Sequence, residues 1–150
     1  MNGLYDKVYN QCLQILRERH KTLLVEWGNL QQAGQAETKS SMGDKYETGR
    51  EMLNLEKQKI ATQLDEVKKQ LKELETLSVE KTTKKVRPGI LVKTERQIFF
   101  LAIPLGKIIV EDQEVFVLSP QSPLGQAMLN KVVGDEFGFG NQFYKISGLE

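Results

Sequence analysis

Residues 53–74, Leu53-Asn54-Leu55-Glu56-Lys57-Gln58-Lys59-Ile60-Ala61-Thr62-Gln63-Leu64-Asp65-Glu66-Val67-Lys68-Lys69-Gln70-Leu71-Lys72-Glu73-Leu74, hold the pattern that decides the fold. Leu53, Ile60, Leu64, Val67, Leu71 and Leu74 form one apolar series, and after Ile60 it alternates steps of four and three, the seam spacing of a coiled coil. Lys57 fills the seam position between Leu53 and Ile60. All four prolines of the chain fall after residue 87, so no proline interrupts this stretch or anything before it. The spacing predicts a helix from about residue 43 to residue 80.

Upstream, Leu4, Val8, Cys12, Ile15 or Leu16, Leu23, Trp27 and Leu30 recur mostly at three- and four-residue steps, interrupted at Arg19 and His20. That lays one apolar stripe along a helix of about residues 4–36. At 1.5 Å per residue each helix is on the order of 50 Å long, too long for a chain of this size to cover. Between them Ala33-Gly34-Gln35-Ala36-Glu37-Thr38-Lys39-Ser40-Ser41-Met42-Gly43 is short and polar enough to reverse the chain, which makes the helices antiparallel neighbours. Ser40 or Ser41 suits the N-cap of the second helix, and Ser41 with Asp44 matches a capping box with Asp in place of Glu.

Asp44 and Glu47 then lie one helical step apart at the turnaround. Two carboxylates at a helix N-terminus satisfy the macrodipole and free N–H groups, each worth about 0.3–1 kcal/mol. Carboxylates at i and i+3 on an exposed tip also suit a hard divalent cation such as Mg²⁺, if a partner supplies the remaining ligands. No third acid stands beside them.

From Arg87-Pro88-Gly89 onward the pattern changes. Ile90–Val92, Gln97–Ile103, Lys107–Val110 and Glu114–Leu118 are rich in branched and aromatic residues, with Glu111-Asp112-Gln113 as the turn of a hairpin. Ser122-Pro123-Leu124-Gly125-Gln126-Ala127-Met128-Leu129 supplies an N-cap, Pro at N1 and apolar residues on one side of a short helix. Val132–Glu136 turns the chain into a strand around Phe137–Phe139, and Gln142–Ile146 closes the domain. The sum is a twisted sheet of about five strands with one helix on it. Gly138-Phe139-Gly140 reads as a turn, since no helix and no Gly-Lys-Ser/Thr follow it. The fold class is therefore α+β: an N-terminal antiparallel coiled-coil hairpin over 1–80, a linker over 81–87, and a mostly-β domain over 88–150.

Composition sets outer limits. The 150 residues are 39% apolar and 27% charged, with 21 basic against 20 acidic residues, so a broad electropositive face for duplex nucleic acid is not expected. One Cys and one His exclude an intrachain disulfide and a Cys/His zinc site, and they fit a reducing cytoplasm. No export signal or span of roughly 20 apolar residues is evident, so no membrane partner is expected. Cys12, His20 and Trp27 sit on or beside the first stripe and read as packing.

A long hairpin followed by a β domain carrying Ser-Pro-Leu-Gly-Gln-Ala-Met-Leu and then Val-Gly-Asp-Glu resembles the bacterial Gre-type transcript cleavage factors across the whole layout. The resemblance implies an FKBP-like fold for the C-terminal domain, with Ser122 and Pro123 opening the family's helix and Gly134-Asp135 as its Gly-Asp turn. These four positions are expected to serve partner binding. It implies RNA polymerase as partner, reached through the secondary channel, with the nascent RNA 3′ end contacted indirectly. Gly43-Asp44-Lys45-Tyr46-Glu47-Thr48 is similar to the family's tip motif, with Thr48 where the family has Asn. Asp44 and Glu47 would be the acids that help hold a second Mg²⁺, supplied by the polymerase, while backtracked RNA is cleaved. The chain would be an accessory factor, expected to be a monomer and cytoplasmic, with no cofactor of its own and no turnover without polymerase.

A second register stays open. Lys45-Tyr46-Glu47-Thr48-Gly49-Arg50-Glu51 also matches the stretch that follows the family's tip. The acidic positions would then fall on Lys39 and Met42, and the chain would be a non-cleaving regulator of the same channel. The intact Gly-Asp and acidic spacing favour the first register. Two readings from other classes are a peptidyl-prolyl isomerase, which needs an aromatic-lined pocket built from rings the small core also requires, and a structural coiled-coil oligomer, for which the 60–74 seam is the evidence.

Overall fold

The seam spacing is realised as a helix, α2 (Gly43–Glu75), and the upstream stripe as α1 (Leu4–Lys39). The computed structural model describes residues 3–39, 43–77 and 84–150, the side chains of 35–39 and 43–46 excepted. The expected cap at Ser40 or Ser41, the expected helical residues 78–80 and Thr82-Thr83 of the linker lie outside the described residues. Helix α2 stops at Glu75, short of residue 80. Its end is tightened by an i→i−3 bond from Leu77 N to Leu74 O at 3.4 Å, and Thr76 Oγ1 donates to Glu73 O at 3.2 Å. Carbonyls at a helix end that lack an intrahelical donor are satisfied in this way.

By its contacts the chain divides into two compact units, Gln14–Leu71 and Met1–Leu13 with Lys72–Glu150, a division that passes through both helices. In the first unit α1 and α2 run antiparallel. Ile15 shares a groove with Gln70, while a Cβ on Gly34 would come 3.2 Å from Leu53 Cδ2 and 3.3 Å from Lys57 Nζ. Gly34 thus lets the helices approach closely near the turnaround. Leu16, Ile60, Leu64 and Val67 are buried between the helices. The seam is consumed inside one chain, which removes it as evidence for a coiled-coil oligomer. At its lower end the burial shifts sideways: Gln70 is 7% exposed while the expected seam residue Leu71 is only half-buried. A helix of 3.6 residues per turn drifts about 20° per heptad from a 3.5-residue seam, which moves burial in this way.

The second unit contains strands β1 (Leu91–Thr94), β2 (Ile98–Leu101), β3 (Gly106–Val110), β4 (Gln113–Leu118), β5 (Glu136–Phe139) and β6 (Gln142–Leu149), with helix α3 (Pro123–Met128). They form one sheet in the order β3-β4-β2-β1-β6-β5. There are six strands where about five were expected, one for each strand-like segment of the sequence, and Phe139 pairs with Gln142 across a two-residue turn. Gly140 opens that turn at φ 64°, a conformation a side chain would strain, while Gly138 and Phe139 belong to β5 rather than to the turn. The β3–β4 hairpin is also tighter than expected. Glu111 and Asp112 alone make its turn, both left-handed at φ 49° and 65°, and Gln113 pairs with Val110 inside the ladder. Two left-handed residues give the turn a twist that matches the strands it joins. All pairings are antiparallel except β2 with β4, where Phe99 lies opposite Phe116.

The core of this unit is built from Val86, Ile90, Val92, Phe99, Leu101, Leu118, Met128, Phe137 and Ile146. Each such residue, fully buried, contributes about 1.5–3 kcal/mol. The ends of the helices belong to the same unit. Lys7 Nζ pairs with Glu111 Oε1 at 2.7 Å, Tyr9 Oη donates to Leu74 O at 3.2 Å, and Tyr5 N donates to Glu150 Oε1 at 3.2 Å. The last residue is held as an extension of β6, with Leu91 N to Glu150 O at 2.8 Å and Glu150 N to Leu91 O at 2.9 Å.

Candidate functional site

Helix α2 begins at Gly43, so Asp44 and Glu47 fall in its opening turns, three residues apart and on neighbouring positions of one face. Glu47, Thr48, Arg50 and Glu51 are exposed and Gly49 is half-buried. The side chains of Asp44, Lys45 and Tyr46 lie outside the described residues. Among the described residues no group of three or more His, Cys, Asp or Glu side chains is placed to hold a metal ion. Mg²⁺ seeks near-octahedral oxygen ligation, usually through one or two carboxylates with water or phosphate completing the shell. A carboxylate pair on one helix face can donate to such an ion only if other ligands come from elsewhere.

The four C-terminal positions singled out by sequence do local structural work. Ser122, at φ −67° and ψ 157°, accepts from Gly125 N at 3.0 Å and donates to Ser119 O at 2.7 Å, and Pro123 follows as the first helical residue of α3. The cap satisfies one of the free N–H groups of the helix, worth about 0.5–2 kcal/mol. Gly125 lies so close to Ser119 O that a Cβ there would collide with it. Asp135 Oδ2 accepts from Val132 N at 2.9 Å, Asp135 N donates to Val132 O at 3.0 Å, and Gly134 sits at φ 96°. Gly134 N and Ile146 N bond across to Ile146 O and Asp135 O, which ties this turn to β6.

The aromatic residues of this unit form a packed cluster. Phe99 meets Phe116, Phe137 and Tyr144 edge to face at 6.4, 5.9 and 5.3 Å between centroids, and Phe137 stacks on Tyr144 at 5.3 Å. Rings so engaged with one another are filling a core, the use that competes with lining an isomerase pocket. Phe139 and Phe143 are instead exposed, at 50% and 68%, with the Phe143 ring laid against Gly138.

One feature of the hairpin was not read from sequence. A groove of about 630 Å³ runs between α1 and α2, with Ile15, Leu23 and Val67 as apolar lining and Glu18, Arg19, Thr22, Gln63, Glu66 and Gln70 around them. The signal that could have found it is the pair Gln63 and Gln70, which stand one position before the seam residues Leu64 and Leu71. Cys12 is fully buried and burial pushes its thiol up to about 12, so it is inert packing rather than a nucleophile. Among the described residues no helix is long and apolar enough to cross a membrane.

No family model matches this chain, and no curated protein does. Among solved structures it is similar to the GreA factor homolog 1 (Gfh1) protein of Thermus thermophilus, with 20% identity and a TM-score of 0.36 over 87% of this chain and 94% of that one. A second structure of the transcription factor Gfh1 is similar at 19% identity and a TM-score of 0.32, over 86% of this chain and 90% of the other.

Proposed function

We propose that this chain is a transcription factor that acts on RNA polymerase through the secondary channel, with Asp44 and Glu47 at the hairpin turnaround stimulating cleavage of backtracked RNA. The observation that carries the reading is the start of α2 at Gly43, which puts Asp44 and the exposed Glu47 one helical step apart beside the chain reversal. Helix α1, at 36 residues, is about 54 Å long, a length suited to a channel. In this mechanism Asp44 and Glu47 would help hold a Mg²⁺ supplied by the polymerase, and that ion would supply the activation of water for hydrolysis. That is metal-assisted in-line hydrolysis, in which charge developing in the transition state is met by groups already in place. The β domain docks on the polymerase through the Ser122-Pro123 start of α3 and the Gly134-Asp135 turn. The chain has no nuclease activity alone.

The test is RNA cleavage by a stalled, backtracked elongation complex with wild-type protein, Asp44→Ala and Glu47→Ala across a Mg²⁺ series. Stimulation by the wild type, and its loss in both variants, supports the reading. An inert wild type at every Mg²⁺ concentration overturns it. The match of Lys45–Glu51 to the stretch after the family's tip favours a second reading, a regulator that occupies the channel without promoting cleavage. That reading predicts competition with a cleavage factor and indifference to both substitutions.

A further inference from the structure

The hairpin unit carries two unlike flanks. On one, the groove has Ile15, Leu23, Val67 and the buried Gln70 as its floor, and the exposed Glu18 and Glu66 stand on its rim with Arg19, which leaves the lining net acidic. A helix turns about 100° per residue, so Arg17, Lys21 and Leu24, at i, i+4 and i+7 of α1, share a stripe in which Arg17 and Leu24 lie roughly opposite the groove-lining Ile15 and Thr22 and Lys21 lies between that stripe and the groove-lining Glu18. Arg17 and Lys21 are exposed, and Leu24 is 48% exposed between them and the half-buried Gly28. On α2 the exposed Lys68 likewise lies on the side away from Gln63 and Gln70. Among the described residues Arg17, Lys21 and Glu66 make no ion pair.

We propose that the groove receives a second copy of this chain, with Leu24 of one copy seated over Ile15, Leu23 and Val67 of the next. Arg17 and Lys21 of the first copy then face Glu18 and Glu66 of the second. The argument is complementarity between two surfaces of the same molecule: an apolar knob flanked by cations, and a mostly apolar floor with a net acidic rim. A third helix laid into the groove between two antiparallel helices completes a bundle by ordinary ridge-and-groove packing. The donor and acceptor surfaces differ, so the contact is heterologous and each added copy leaves a free groove at one end. Its charges lie on an exposed rim, so the association is weakened by salt. This inference is independent of the polymerase reading.

The test is sedimentation velocity on the full chain at about 50 mM and about 500 mM salt, where the screening length falls from above 10 Å to well below it. At low salt the weight-average sedimentation coefficient is expected to rise with protein concentration, and at high salt to stay at the monomer value. Lys21→Glu and Glu66→Lys are both on exposed positions and are each expected to stay monomeric at low salt, with unchanged helical circular dichroism. Mixing the two variants restores association, because each then meets a groove or a stripe of opposite charge. Monomer at every concentration in low salt overturns the proposal, as does association that survives both reversals or a mixture that stays monomeric.

Discussion

The Tyr5 ring meets the Phe100 ring edge to face, with centroids 5.6 Å apart and planes at 86°, which packs the first turn of α1 against a residue of β2. Tyr9 stacks behind Tyr5 at 6.3 Å. The Tyr5 hydroxyl is buried with no hydrogen-bond partner among the described residues. The ring therefore stabilises this junction while its oxygen works against it. Tyr5→Phe is expected to be neutral or stabilising by up to about 1 kcal/mol, because it removes an unsatisfied polar atom. Tyr5→Ala is expected to lose about 3 kcal/mol through the lost ring contacts. Urea unfolding of the two variants measures both, and a destabilised Tyr5→Phe would contradict the account.

Two glycines give opposite expectations. Gly28 lies within α1 and a Cβ there would touch nothing within 4 Å, so Gly28→Ala is expected to stabilise by about 0.5–1 kcal/mol through helix propensity alone. At Gly125 the added methyl would strike the Ser119 carbonyl and the Pro120 backbone, and neither can move without displacing the cap of α3. Gly125→Ala is expected to cost about 2–4 kcal/mol. Paired thermal melts check the contrast.

The buried thiol of Cys12 predicts an alkaline limb of instability. Burial disfavours the thiolate and raises the thiol pKa to about 12 in the folded chain, well above the ordinary thiol range. Above pH 9 the unfolded chain gives up this proton while the folded chain keeps it, so stability present below pH 9 falls as pH rises toward 12. Tyr5, whose hydroxyl is also raised, first by burial and then by Tyr9 and Asp6, adds to the same limb. Cys12→Ala is expected to flatten part of the fall in urea midpoints between pH 8 and pH 10. A thiol reagent at pH 8 should react with Cys12 only after denaturant is added.

Glu150 predicts an acid limb. Burial opposes its charge, but the Lys93 ammonium at 2.9 Å and the Tyr5 N–H outweigh that, and its carboxyl is held below the ordinary range. The stability this contributes is present above the unfolded carboxylate value and is lost as pH falls through the lower folded one. Glu150→Gln is expected to be less stable than wild type at pH 7 and to converge with it below about pH 3. Unfolding midpoints across pH 2–7 test the convergence.

At the turnaround, removal of either acid is expected to lower stimulated cleavage by about 10²-fold, the scale found when one preorganised electrostatic group is deleted from a transition state. Binding to polymerase should survive both Asp44→Ala and Glu47→Ala, since the loss falls on the chemistry and not on docking. A binding assay run beside the cleavage assay separates the two effects.

Much of this was legible in local spacing. The Ile60–Leu74 series and the Leu4–Leu30 stripe marked both helices, and Ser122-Pro123 marked the start of α3 together with its cap. The Asp44 and Glu47 pair was visible as an i, i+3 spacing on the second helix. What sequence did not show was the groove, because Gln63 and Gln70 read as ordinary polar neighbours of the seam. Nor did it show that Glu111-Asp112 turns the β3–β4 hairpin without Gln113, since neither residue is a glycine and the left-handed conformation is carried against preference.

Helix, strand and cap are determined by interactions among residues a few positions apart, and for these the sequence was sufficient: a 3.6-residue period, a proline-free first half, a serine before a proline. Three other features depend on segments that only the folded chain brings together. They are the parallel pairing of β2 with β4, the burial of Gln70 in preference to Leu71, and the docking of Tyr5 on Phe100. Each is decided by close packing and hydrogen-bond pairing between distant stretches, where fractions of a helical turn or one step of strand register select which side chain leaves water.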